Sequence, residues 1–259
     1  MSIFVFDIET IPDLPNLKKI HHLDNLNDED ALLAAQTIRR QSTNGNEFFP
    51  LHCHQIVAIS AVLATPQSVK VWSLGTEQSN EAELIERFYA GIEKYQPTLV
   101  SWNGSGFDLP VLHYRSLIHG VSAPLYWETG DNQNQFRYNN YLNRYHYRHL
   151  DLMDILSAYQ AKAYAPLDQI ALMLGFPGKM GMHGSKVLEY FQRGEIADIR
   201  NYCETDVLNT YLVYLRYELI RGKLTKQEYQ QKQDVLKNYL QEENKKHFTE
   251  FLELWNNPS

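Results

Sequence analysis

At 259 residues, 44% of them hydrophobic and 21% charged, the chain can bury a full core and has the composition of an ordinary globular protein. A formal net charge of −7 disfavours a protein that coats duplex nucleic acid by charge alone. No apolar run is long enough to span a bilayer and no leader is expected. The two cysteines, Cys53 and Cys203, offer no disulfide framework, so a cytoplasmic, reducing setting is the expectation.

Residues 3–6 form a β-branched and aromatic run that ends at Asp7, which predicts a buried first strand. Pro12 and Pro15 then break the chain. Across residues 24–41 acids lead and arginines close, the charge order that a helix dipole favours. A helical insertion is expected there, closed by Asn44-Gly45-Asn46. Residues 55–64 and 68–74 predict two strands joined at Thr65-Pro66-Gln67. Residues 80–95 have helical periodicity, with Leu84, Ile85, Phe88 and Ile92 in one stripe. A buried strand is expected over 98–102, a helix over 109–118 and a short strand over 149–152. Helices follow over 167–174, 185–193 and 196–221, and a polar helical tail over 225–255. Strand and helix alternating after a hairpin predict a mixed α/β sheet flanked by helices.

Three segments place acids beside apolar stretches. In Asp7-Ile8-Glu9, strand alternation puts both carboxylates on one face; a solvated strand end is the alternative. The run from Asn103 to Asp108 leaves a buried strand and opens a helix, where open α/β sheets build ligand sites. Asp108 as a simple helix cap, with Pro110 in the first turn, is the alternative. Tyr202 and Asp206 stand four apart on a helix, so phenol and carboxylate share a face; a packed Tyr and a surface Asp would look the same. Buried acids need a partner charge or a metal. Four of them from three distant segments suggest one site for hard divalent cations, which would also offset part of the net charge.

The order and spacing of these segments resemble the DEDD superfamily of 3′→5′ exonucleases, in its tyrosine subgroup. Asp7 and Glu9 match the first motif, Asn103, Phe107 and Asp108 the second, and Tyr202 and Asp206 the third. The histidine subgroup would place His where Asn201 stands. The segments GFPGK (175–179) and HGSKVLEYFQRGEIADIRNYCETDVLNTY (183–211) resemble the stand-alone exonucleases related to the proofreading domain of family-B DNA polymerases. The resemblance covers about residues 1–221. It implies a ribonuclease-H-like exonuclease domain there, with a helical insertion at about 16–50, and leaves 222–259 as a C-terminal helical extension.

The resemblance further implies two-metal hydrolysis of phosphodiester bonds with Mg²⁺ or Mn²⁺. Asp7 would bridge both ions, Glu9 and Asp206 complete the first, and Asp108 hold the second, partly through water. Tyr202 would orient the attacking water. The implied substrate is a single-stranded nucleic-acid end, with DNA favoured over RNA and no membrane partner. An exoribonuclease of the same fold and a catalytically silent nucleic-acid-binding module are the rivals; the full acid set with Tyr202 argues against the latter.

Asn103, Phe107 and Lys179 are the candidate substrate contacts. Lys179 sits in a Gly-rich loop that could meet a phosphate or be a plain surface turn. Residues 136–149 interleave four Tyr with three Arg and no acid, which suits base stacking along a single strand or packing at the sheet edge. His52-Cys53-His54 lacks the partners of a closed metal site. Of Asp151 and Asp154, the former is expected near the acids and one of the two to cap a helix.

Overall fold

The computed structural model describes residues 2–257. Its first strand, β1 (Ile3–Pro12), feeds two cores. Phe4, Phe6 and Ile8 enter one cluster and Val5 enters another on the opposite face, as a period of two requires. β2 (His54–Ala64) runs antiparallel to β1, with Ile3 opposite Ala64, and β3 (Val69–Ser73) antiparallel to β2. β4 (Thr98–Ser101) and β5 (His149–Asp151) extend the other edge in parallel. The order is β3-β2-β1-β4-β5, a five-stranded mixed sheet.

Two helices, α1 (Leu14–His21) and α2 (Asp28–Ser42), precede β2. The sheet face carrying Phe4 and Phe6 is covered by α3 (Glu81–Tyr95) and α4 (Asp108–His119) through Leu84, Ile85, Phe88, Val111 and Leu112. Short helices α5 (Leu152–Leu156), α6 (Leu167–Met173) and α7 (Val187–Gln192) lead to α8 (Ile196–Ile220), which covers the face carrying Val5. Every residue of α8 from Tyr202 to Leu215 is buried, so it is a central helix with no solvent face over that stretch. This is the mixed sheet flanked by helices that the apolar pattern predicts, and it has the ribonuclease-H-like arrangement that the resemblance implies.

Two elements differ from expectation. Pro15 does not break the chain but sits in the first turn of α1, where a missing N–H costs nothing, and Asp13 caps that turn. The tail is two helices, α9 (Lys226–Glu243) and α10 (Lys246–Asn256), divided at Asn244 in the left-handed conformation. Leu236, Leu240, Phe248, Phe251 and Trp255 bury into the same cluster as Val5 and Val62. Each such side chain contributes about 1.5–3 kcal/mol, so the tail is held to the sheet by core packing. Pro258 and Ser259, the end of the expected extension, and Met1 lie outside the described residues. No described helix is long and apolar enough to cross a membrane.

Candidate active site

Alternation along β1 turns Asp7 and Glu9 to the face of Val5, towards α8. A register shift between Glu9 and Thr10 ends the regular ladder just past them. β4 pairs with β1 only as far as Val5, opposite Val100. Beyond that point the chain turns through Asn103 to Asp108 into α4, and Asp108 Oδ1 accepts the Ile8 N–H at 3.1 Å. The helix cap is Phe107 by backbone position, so the Asp108 carboxylate serves the strand. From the other side, α8 presents Tyr202, Cys203 and Asp206. One ligand atom each from Asp7, Glu9 and Cys203 lies within 4.8 Å of the others. Glu9, Asp108 and Asp206 are buried, and Asp7 keeps partial exposure.

Crowding these acids out of water makes them reluctant to ionise. Desolvation first, then repulsion from Asp108, Glu9 and Asp206, holds Asp7 well above the usual carboxylate range. Glu9 is raised for the same reasons, by desolvation and then by Asp206 and Asp108. Asp108 is pushed up to about 7, chiefly by desolvation, against the lowering effect of its backbone hydrogen bonds. Asp206 is pushed up to about 6 by burial, opposed by Lys179 and Tyr202. The Tyr202 hydroxyl is raised by burial and by the charges of Asp206, Glu9 and Asp7, so it is a donor at neutral pH. Asp206 Oδ1 is a buried oxygen with no hydrogen-bond partner, the one such side-chain atom among the described residues.

The loops around the acids are tightly held. Asn103 takes a left-handed conformation (φ 65°), which Asn tolerates better than most residues, and its carbonyl accepts the N–H groups of Gly106 and Phe107 at 2.9 Å. Asp151 both caps α5, accepting from Met153 and Asp154, and accepts the N–H groups of Asn103 and Ser105 at 2.9 Å. The expected capping and site-side roles thus fall on one residue, while Asp154 pairs with Arg144 and accepts from the Tyr164 hydroxyl. A side chain at Gly104 would collide with Ser101, so the turn needs glycine for space. Lys179 is at the site: its ammonium lies 5.9 Å from the Tyr202 ring centroid, and its charge lowers Asp7, Glu9 and Asp206. Its loop is anchored by Lys179 N–H to Asp168 Oδ1 (2.7 Å) and Gly178 N–H to Asn209 Oδ1 (3.2 Å).

The structure therefore gathers Asp7, Glu9, Asp108, Tyr202, Asp206 and Lys179, with Phe107 beside Asp108 and Asn103 as the turn that aims them. The 136–149 stretch divides: Phe136 and Tyr141 are core residues, whereas Tyr138, Tyr145 and Tyr147 are exposed. His52, Cys53 and His54 form no metal cluster among the described residues. Cys53 is buried with Leu17, Ala35 and Phe49, and His54 uses both ring nitrogens, with Nε2 donating to the Phe49 carbonyl (3.1 Å) and Nδ1 hydrogen-bonded to the Thr10 hydroxyl (2.9 Å). Sequence reasoning missed two neighbours of the acids. One is Cys203, which faces β1 and directs its thiol at the Asp7 carbonyl at 3.4 Å; its position next to Tyr202 was the available signal. The other is an aromatic trio of Phe48, His54 and Phe107, with centroids 4.9–5.9 Å apart. No spacing rule links Phe48 to Phe107.

Residues 46–255 match the model of a family described as predicted 3'-5' exonuclease related to the exonuclease domain of PolB. The matched span includes Asp108, Tyr202 and Asp206 and runs through α9 into α10; Asp7 and Glu9 precede it and are joined to that set by the sheet. The chain is also 24% identical over 148 residues to the catalytic polypeptide of DNA polymerase epsilon from Saccharomyces cerevisiae. That similarity covers 54% of this chain and 6% of the yeast protein. With most of its length matched, this chain belongs to the family of 3'-5' exonucleases related to the exonuclease domain of PolB.

Proposed function

We propose that Asp7, Glu9, Asp108 and Asp206 hold two divalent cations, Mg²⁺ or Mn²⁺, and that the enzyme removes nucleotides from the 3′ end of single-stranded DNA. The observation that carries this is Asp206 Oδ1, buried and without a partner in a group of mutually repelling acids. A buried polar atom left unsatisfied costs about 1–3 kcal/mol, and a cation here would meet that oxygen and offset the repulsion together. The donor set fits, since carboxylate oxygens suit hard, oxygen-seeking ions. Asp7 would serve both ions, Glu9 and Asp206 one, and Asp108 the other. Bound there, the ions would supply the positive charge that stabilises the attacking and leaving oxygens of an in-line displacement.

The chain's own groups do the rest. The Tyr202 hydroxyl, a donor at neutral pH, would orient the attacking water beside Asp206. Lys179 would meet a substrate phosphate, and Phe107 and Asn103 would line the approach. The polymerase named by the similar yeast protein supports DNA as the polymer. Two buried, unpaired cysteines suit a reducing, cytoplasmic setting. The test is degradation of 5′-labelled single-stranded DNA and RNA with Mg²⁺, Mn²⁺ or excess chelator. Stepwise shortening of the DNA that stops in chelator is the expected result. Preference for RNA would make the enzyme an exoribonuclease, and no degradation of either would leave a binding module.

A further inference from the structure

We propose that Phe48 is a base-stacking residue of this site, and that Phe48, His54 and Phe107 form a platform for a base near the 3′ end of a single DNA strand. The inference rests on the exonuclease reading above and adds a substrate-positioning residue that the motifs do not contain. Phe48 is 53% exposed, yet its backbone is gripped on both sides. Its N–H donates to Asn46 Oδ1 (2.9 Å), its carbonyl accepts from Arg39 Nε (2.8 Å), and the next residue, Phe49, is buried against Leu17, Ala35 and Cys53. The backbone is thus fixed while about half of the residue stays open to solvent, where a stacking partner could reach it. The ring stands 4.9 Å from His54 and 5.9 Å from Phe107, centroid to centroid. His54 is tied to Thr10, the neighbour of Glu9, and Phe107 precedes Asp108. The trio thus touches the chain neighbours of Glu9 and Asp108. Nε2 must donate to the Phe49 carbonyl, and burial lowers His54 below the ordinary imidazole range, so the ring is neutral and the surface offers π faces instead of a charge for phosphate. Neutral aromatic faces take bases of any identity.

The test uses the full chain with Ca²⁺ in place of Mg²⁺ and a single-stranded DNA oligomer carrying 2-aminopurine at its 3′-terminal or penultimate position. Phe48→Ala is expected to weaken binding about 5- to 100-fold, the range for losing one stacked base, and to abolish the stacking change in fluorescence. Phe48→Trp should restore both, whereas Phe48→Leu, which keeps apolar bulk, should restore neither. Unchanged affinity and fluorescence in Phe48→Ala, or rescue by Leu equal to that by Trp, would overturn the platform while wild-type degradation of the strand still upheld the exonuclease reading. A wild-type protein that neither binds nor degrades single strands would remove both.

Discussion

Two regions of this molecule bury groups of carboxylates, and they treat them in opposite ways. Asp13 and Glu81 share the buried Arg115, which donates to Asp13 through Nη1 and to both Glu81 oxygens, at 2.7 and 2.5 Å. The Ile56 N–H (2.6 Å) and His119 Nε2 (2.7 Å) also reach Glu81, and the Asn16 N–H reaches Asp13. Every oxygen there has a donor, and the group ties the start of α1 to α3, α4 and β2. At the end of β1 the same kind of burial leaves Asp206 Oδ1 without a donor and surrounds Asp7 with like charges. The first arrangement is a finished structural joint. The second keeps an acid oxygen unpaired, with Lys179 opposing the repulsion, the arrangement that the proposed cations would complete.

The largest effects should separate the two regions cleanly. Asp7→Ala or Asp206→Ala should lower turnover on single-stranded DNA on the order of a thousand-fold or more, with folding retained, because a ligand to the proposed ions is lost along with a repulsive charge. Arg115→Met should do the reverse. It leaves two buried acids uncompensated and should cost about 3–5 kcal/mol in chemical denaturation. A stable Arg115→Met protein, or an Asp206→Ala protein with ordinary turnover, would erase the distinction.

A smaller effect is expected at Tyr202. Tyr202→Phe keeps the ring packed and removes the hydroxyl, so turnover should fall on the order of a hundred-fold while apparent affinity for a single strand changes little. Steady-state kinetics on a labelled strand would show it. Unchanged turnover would make Tyr202 a packing residue only.

Much of this was legible in the sequence because it depends on local periods. Alternation placed Asp7 and Glu9 on one face, and a spacing of four placed Tyr202 beside Asp206. The sheet followed from its apolar runs. Contacts between distant segments were not legible. Phe136 and Tyr141 look like their exposed neighbours, and only packing across the sheet edge, with the Tyr141 hydroxyl on the Pro97 carbonyl at 2.8 Å, makes Tyr141 core. The division of the tail at Asn244 turns on one left-handed residue in a polar run. Phe48 meets Phe107, the neighbour of Asp108, only through the fold, and although Cys203 stands within the Tyr202–Asp206 segment, only the packing of α8 on β1 turns its thiol to the Asp7 carbonyl.

The smallest effect is in pH dependence. Folding raises Asp206 from 3.8 to about 6, so between those values the folded state holds a proton that the unfolded chain has lost. Stability from this group therefore falls as pH rises through that window. His113 and His149, both held near 4 by burial, act with the opposite sign up to their ordinary value of 6.5. The clean measurement is the difference between Asp206→Asn and wild type without divalent metal. The variant's advantage should be absent below about pH 4, grow to about 1–3 kcal/mol by pH 7, and reverse under saturating Mg²⁺. A difference flat in pH would mean that Asp206 carries no buried-charge penalty.

Whether divalent cations complete the acid group at the end of β1 can be read from calorimetric titration with Mn²⁺. Two ions should bind the wild-type protein, with stoichiometry or affinity sharply reduced in Asp206→Ala and unaltered in a distant control such as Lys70→Ala. No binding by the wild type, or binding that Asp206→Ala leaves untouched, would contradict the cation site.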